Sequence, residues 1–195
     1  LLGAVSTIIA DKFKNHDLLP SREAAILLYY GIISNTINLN AKTTTQKDKD
    51  MLAWLETLYP EISASRIEEI FIKKSKIEET NLRREMEAEI VLTINNSKLT
   101  IAQLEIANLE DFLKVNKYKI NQILETVKIE KQLDYIFINC VDILNGFNVL
   151  LTVDDQTTSL LEKVYNLSFT NNEAKTPHLI LRKELIDNLI NYMVN

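Results

Sequence analysis

The chain has 195 residues, of which 46% are hydrophobic and 25% charged, and its formal net charge is −5. That balance fits a globular protein of one large or two small domains and disfavours nucleic acid as the main partner. No apolar run reaches the ~18 residues a membrane-spanning helix needs; the longest, residues 24–33, contains Tyr29, Tyr30 and Gly31.

No secretory leader is visible. The chain opens on Leu1, so its native N-terminus is expected to be missing. The single cysteine, Cys140, excludes an internal disulfide and suits a reducing compartment, which makes the cytoplasm the expected location. Three glycines and three prolines leave few phosphate-cradling loops, and there is no P-loop or dinucleotide fingerprint.

Residues 3–15 read as a helix, because Val5, Ile8, Ile9 and Phe13 recur at helical spacing. Residues 18–21 break it, and Ser21 is suited to cap a second helix running to Thr36. That helix is apolar nearly all round and should be buried. A third helix spans residues 46–59 with Met51, Leu52, Trp54, Leu55 and Leu58 inward, and Pro60 stops it. Ser63 is placed to cap a fourth, residues 64–77, with Ile67, Ile70, Phe71 and Lys74 on neighbouring turns.

After about Thr80 the period changes. Residues 89–94 alternate, with Ile90, Leu92 and Ile94 on one face. A turn at 95–97 and a second alternating run, 99–106, predict a hairpin. Asn108 is read as the cap of a helix over 109–127, with Phe112, Leu113, Val115, Ile120 and Ile123 inward. Residues 135–143 and 149–153 read as strands joined by an Asn145-Gly146 turn. Residues 157–165 read as a helix, 179–181 as a short strand and 182–193 as a closing helix. The fold class expected is α+β (mixed α/β), with a small mixed sheet flanked by helices.

Four stretches share a further pattern. The second helix ends in Ser34-Asn35-Thr36, and Thr44-Thr45-Gln46-Lys47-Asp48 follows. Residues 101–110 read IAQLEIANLE, Tyr135 is followed by Asp142-Ile143-Leu144-Asn145, and the last helix opens Leu181-Arg182-Lys183-Glu184-Leu185. The chain resembles the DHH phosphoesterase superfamily, in particular the family II inorganic pyrophosphatases and the exopolyphosphatase (prune-like) group. Members read SDT and then TT-x-x-D, later I-x-Q-x-E-x-x-x-L-E and Y-x-x-x-x-x-x-D-I-x-N, and finally S-R-K-K-Q. The stretch Leu55-Glu56-Thr57-Leu58-Tyr59-Pro60 is closer to the exopolyphosphatase L-E-x-L-F-P, whereas Gln103 and Glu105 are closer to the pyrophosphatases.

The resemblance implies a helical remnant of a DHH domain with a connector helix over 1–78 and a C-terminal DHH-associated domain over 79–195. It implies hydrolysis of pyrophosphate or short polyphosphate at two Mn²⁺ (or Mg²⁺/Co²⁺) ions, with a cleft between the domains as active site. Two such cations activate a bridging water and clamp a phosphoryl oxygen. The metal ligands of the DHH tripeptide lie upstream of the resemblance. Asn35 stands at the family's bridging Asp. An amide oxygen there ligates without the charge that offsets two cations, and the same Asn is equally suited to ending a buried helix. This chain alone is therefore expected to hold no dinuclear site and to be inactive.

Arg182 and Lys183 match the family's phosphate-binding cations, which bind by a planar fork and a point charge at a helix start; a solvated basic pair is the alternative. Glu184 replaces a cation of the pattern. The family's D-x-K before the hairpin falls on Glu85-Met86-Glu87, with Glu87 at the Lys position, and Arg83 and Arg84 lie one turn away. His178 is close enough in sequence to Arg182 to approach a phosphate, or is an ordinary surface residue, as His16 is expected to be. Cys140 reads as core, and Asp142 as a strand-end turn former or a buried acid with a partner. The alternative to an enzyme is a non-catalytic relative that binds phosphorylated ligands or a protein partner. No nucleic acid or membrane is implied, and a homo-oligomer is compatible with the family.

Overall fold

A computed structural model describes residues 3–62, 67–75, 77, 81–87 and 91–194. They fall into two compact units, Leu1–Lys74 and Ser75–Asn195. The expected boundary at 78/79, the expected cap Ser63 and the strand start at residues 89–90 lie outside the described residues.

The first unit is helical: α1 Val5–Asn15, α2 Arg22–Asn35, α3 Gln46–Leu58 and α4 Ile67–Lys74. The start of α2 is capped as the sequence suggests, α3 has a cap not singled out for it, and Ala4 before α1 gives no side-chain cap. Ser21 Oγ accepts the Ala24 N–H at 3.2 Å, and Thr45 and Asp48 form a reciprocal capping box at α3. The packing of α1 differs from its apolar pattern. Val5, Ile8 and Ile9 are 70%, 42% and 43% exposed, and the face buried is the one with Ala4, Thr7 and Ala10. The reason is shape. A methyl added to Gly31 of α2 would stand 2.3 Å from Ser6 Oγ, so α1 meets α2 through small residues and leaves its branched ones outside. Nor is α2 buried all round, as its composition suggested: Leu28, Tyr29, Ile32 and Ile33 are buried, while Leu27 is exposed.

The second unit contains α5 Leu82–Glu87, β1 Val91–Ile94, β2 Ser97–Ile106, α6 Leu109–Glu130, β3 Tyr135–Asp142, β4 Phe147–Thr152, α7 Asp155–Tyr165, β5 Glu173–Lys175 and α8 Arg182–Val194. The strands form one sheet in chain order, β1-β2-β3-β4-β5. Only β2 and β3 are parallel, and the long α6 is the crossover that a parallel pair requires. The predicted hairpin is present. Ile94 pairs with Ser97 across Asn95 and Asn96, both in the left-handed region, as a tight two-residue turn demands.

The sheet is covered on both faces. Ala102, Leu104, Ile106, Ile136, Ile138 and Cys140 pack with α5 and α6. Leu99, Ile101, Phe137 and Leu150 pack with α7 and α8. This is an α+β layer arrangement of the expected class. Val115, expected inward, is 81% exposed; the inner stripe of α6 is Leu109, Leu113, Ile120, Ile123, Leu124 and Val127, with which Val115 is out of phase. The predicted strand at 179–181 is not one. Asn side chains occupy both backbone groups of Ile180, so the segment is held as a strap rather than by a ladder. The fifth strand is the polar Glu173–Lys175, recruited by pairing with β4.

Candidate functional site

The face of the sheet under α8 turns polar toward the end of β2. Gln103 and Asn139 are register partners on β2 and β3, and Asn139 and Asn148 are fully buried. Buried amides must find partners or cost free energy, and these find one another. Asn148 Nδ2 donates to Asn139 Oδ1 at 2.5 Å, and Asn139 Nδ2 donates to Gln103 Oε1 at 3.0 Å. Gln103 Nε2 donates in turn to Glu105 Oε1 at 3.3 Å. The same amides grip residues 176–182. Asn148 Oδ1 accepts the Ile180 N–H at 2.9 Å, and the Ile180 carbonyl accepts from Asn139 at 3.0 Å and Asn148 at 2.6 Å. The Thr176 hydroxyl accepts the Asn148 N–H at 3.0 Å and donates to the His178 carbonyl at 2.8 Å.

Arg182, the first residue of α8, ends this strap. Its N–H donates to Gln103 Oε1 at 2.9 Å, so Gln103 does the work of a helix cap from across the sheet. Arg182 is half-buried, while Lys183 and His178 are exposed. The Tyr165 hydroxyl donates to the Leu185 carbonyl at 2.7 Å, joining α7 to the first turns of α8. Burial, helped by the Glu184 charge, pushes the Tyr165 phenol up, so it stays a neutral donor. The structure therefore brings Arg182, Lys183 and His178 to one segment, anchored by groups that sequence reasoning did not connect.

It does not bring Arg83 and Arg84 there. They sit on α5, whose Leu82 and Met86 pack on the other face of the sheet. Arg83 pairs with Glu130 of α6 at 2.5 Å and Arg84 with Glu85 at 3.1 Å. The helix that carries them was not assigned from sequence, and the side chain of Glu87 lies outside the described residues.

Asn35 is exposed at the end of α2 and its amide donates back to the Gly31 carbonyl at 2.9 Å. The backbone beyond it is unusual. Ile37, Asn38 and Leu39 have φ of 47°, 51° and 66°, a left-handed turn that costs side-chain-bearing residues about 1–2 kcal/mol each. Thr36 braces it: its hydroxyl donates to the Ile32 carbonyl at 2.7 Å and accepts the Leu39 N–H at 3.1 Å. Asp48, from the TT-x-x-D stretch, is fully buried. It accepts the Gly3 N–H at 3.1 Å, the Thr45 N–H and hydroxyl at 2.7 Å each, and the Thr7 hydroxyl. Burial pushes its carboxyl up, but those bonds outweigh it and hold the group below its ordinary value. This carboxylate fastens α1 to α3.

Among the described residues no cluster of three His, Cys, Asp or Glu could hold a metal ion. Cys140 is fully buried and its thiol is pushed up, first by burial and then by the Glu173 charge; it is core, not a nucleophile. Asp142 serves both roles considered for it. It accepts the Leu144 and Asn145 N–H groups of the turn at 3.0 and 2.8 Å and the Leu109 N–H at 3.0 Å. The last bond starts α6 in place of Asn108, whose side chain makes no cap. A hollow of about 300 Å³ beside it is lined by Glu110, Asp111 and Asp142, a charge that repels phosphate.

Comparison with known proteins gives a consistent answer. No protein-family model matches the chain. It is 26% identical over 190 residues to the manganese-dependent inorganic pyrophosphatase of Bacillus subtilis, covering 95% of this chain and 60% of that protein. It is 26% identical over 189 residues to the cobalt-dependent inorganic pyrophosphatase of Clostridium perfringens, covering 95% of this chain and 34% of that one. The curated relatives it matches are manganese- or cobalt-dependent inorganic pyrophosphatases. A crystal structure of a candidate family II enzyme from Methanococcus jannaschii shares the fold, with a TM-score of 0.76 at 22% identity, over 100% of this chain and 66% of that one. This pyrophosphatase homologue thus spans about 60% of the length of the curated Bacillus relatives it matches and corresponds to their C-terminal part. The Gln103, Asn139 and Arg182 network lies within the stretches that carried the family resemblance. One signal for it was present, Asn139 in the middle of the otherwise apolar run 136–141; Gln103, among the polar residues of β2, did not stand out.

Proposed function

We propose that the chain is the C-terminal portion of a metal-dependent phosphoanhydride hydrolase of the inorganic pyrophosphatase or exopolyphosphatase type. In this reading Arg182 and Lys183 bind the phosphate oxygens of pyrophosphate or short polyphosphate, with His178 beside them. Residues 1–78 are the C-terminal helical part of a DHH domain with its connector, and residues 79–195 are the DHH-associated domain. The protein works in the cytoplasm. One observation supports this most: the Arg182-Lys183 pair opens a helix whose first N–H is anchored by Gln103, in a chain whose relatives are pyrophosphatases.

The chemistry assigned to this chain is binding and orientation. The guanidinium offers a planar fork of donors that matches two oxygens of one phosphate, and the ammonium adds a compact charge. The positive end of α8 lies under both. The relatives are manganese- or cobalt-dependent, and among the described residues no three His, Cys, Asp or Glu stand together to hold such a cation. Without one, the site should bind simple phosphate at about millimolar strength and pyrophosphate more tightly.

The test is titration of pyrophosphate into Arg182→Ala and Arg83→Ala proteins, read by NMR shifts. Arg182→Ala should weaken binding and Arg83→Ala should not. Undiminished binding by Arg182→Ala together with loss in Arg83→Ala would move the site to α5.

A further inference from the structure

We propose that three amides, the half-buried Gln103 and the buried Asn139 and Asn148, are positioning residues that set where Arg182 and Lys183 stand. The inference rests on the phosphate reading of that pair and goes beyond it, assigning a role to side chains that never touch the ligand.

The amides run in one direction. The Ile180 N–H donates to Asn148, Asn148 to Asn139, Asn139 to Gln103, and Gln103 to the Glu105 carboxylate. Along this chain each amide accepts through its oxygen and donates through its nitrogen, and the nitrogens of Asn139 and Asn148 also reach the Ile180 carbonyl, so no member can flip without breaking a neighbour's bond. Bonds arranged head to tail polarise one another, and the chain ends on a negative charge that reinforces that sense. The two contacts that matter for the site leave the chain at Ile180, whose N–H and carbonyl are both held, and at Arg182, whose N–H reaches Gln103 at 2.9 Å. Only Leu181 lies between them. The start of α8 is therefore fixed by side chains of three strands rather than by its own sequence.

The rest of this face, Leu99, Ile101, Phe137 and Leu150, is apolar. Leu or Val at the three amide positions would fill it at lower desolvation cost, but could not hold a strap that lacks a strand partner. A binding group displaced by about 1 Å loses much of its effect, which is the consequence this network prevents.

The experiment compares the full chain with Gln103→Met, which keeps length and loses the acceptor, and with Arg182→Ala. Pyrophosphate affinity and amide hydrogen exchange at Arg182 are both measured by NMR. Gln103→Met should speed exchange at Arg182 and weaken pyrophosphate binding about fivefold or more in protein that is still folded. A merely structural role would lower the melting temperature and leave the affinity of the folded protein unchanged. If Arg182→Ala weakens binding and folded Gln103→Met does not, the positioning role is wrong and the phosphate reading stands. If Arg182→Ala binds as the parent does, the phosphate reading falls and takes this inference with it. Should Gln103→Met fail to fold, Thr176→Val loosens the same strap from its other end, and the same drop in affinity decides.

Discussion

The two units bury polar groups for different purposes. In the helical unit one carboxylate, Asp48, collects donors from Gly3, Thr7 and Thr45, so a single charged residue joins the N-terminal segment, α1 and α3. In the sheet unit three neutral amides share the task, and the segment they hold leads to the cationic residues Arg182 and Lys183. The contrast has a physical logic. A buried carboxylate is a strong acceptor and suits a cluster of donors. A carboxylate bonded directly to the segment that carries Arg182 and Lys183 would repel phosphate; neutral amides hold that segment instead, and the carboxylate that ends their chain, Glu105, bonds to Gln103 and not to the segment.

The largest effect should separate the units. Asp48→Ala removes the shared acceptor and leaves buried N–H and hydroxyl groups unpaired, which should cost about 3 kcal/mol. Hydrogen exchange should rise in α1 and α3 while β2 and β3 stay protected. Loss of protection throughout the sheet would show that the two units do not respond separately.

Acid sharpens the comparison further. Among the carboxylates held below their ordinary values, each unit has one that is shielded from solvent, Asp48 and Asp154, while Glu61 and Asp111 are exposed. In Asp48 burial is outweighed by bonds from Thr7, Thr45 and Gly3. In Asp154 burial is outweighed by Lys128, at 2.7 Å, and by Thr157 at the start of α7. A carboxyl depressed in the folded state stabilises above its unfolded value, about 3.9, and that contribution is lost as pH falls through the folded value. Both units should therefore weaken below about pH 4. Asp48→Asn should flatten the acid limb of the helical unit alone, and Asp154→Asn that of the sheet unit alone, as followed by residue-resolved exchange between pH 5 and about pH 2.5. An acid limb unchanged in both variants would remove these carboxylates as its cause.

The smallest effect tests the packing of α1. Ile9→Ser, at an apolar position 43% exposed, should change thermal stability by no more than about 0.5 kcal/mol. A loss of 2 kcal/mol or more in a melting experiment would mean that the apolar stripe is covered in solution.

What was legible differed between the units for reasons visible in particular residues. The hairpin at Asn95-Asn96, the helix α6 and the strands β2 and β3 follow from alternation, turn chemistry and length, which are local properties; the parallel pairing of β2 with β3 across α6 was not read from them. In α1 the helical spacing of Val5, Ile8, Ile9 and Phe13 revealed the helix but not which side faces inward, because periodicity reports hydrophobicity and not the close approach that Gly31 and Ser6 permit. The 179–181 segment read as a strand because Leu179, Ile180 and Leu181 are apolar; the amides that claim Ile180 come from residues more than thirty positions away. The candidate cations Arg182 and Lys183 were legible through the family pattern, and their anchor was not.

The sequence by itself determined the class of the fold, the order of nearly all its elements and the kinship with pyrophosphatases, since these reside in local periodicity and in short runs of residues. Only the tertiary structure decided which stripe of α1 faces inward, that Glu173–Lys175 completes the sheet, and that Arg182 and Arg83 stand on opposite faces of it. Those outcomes depend on shape and hydrogen-bond partners that meet only when distant segments are folded together. The left-handed turn at Ile37–Leu39 is of the same kind: its residues do not favour it, and Thr36 together with the burial of Ile37 holds it in place.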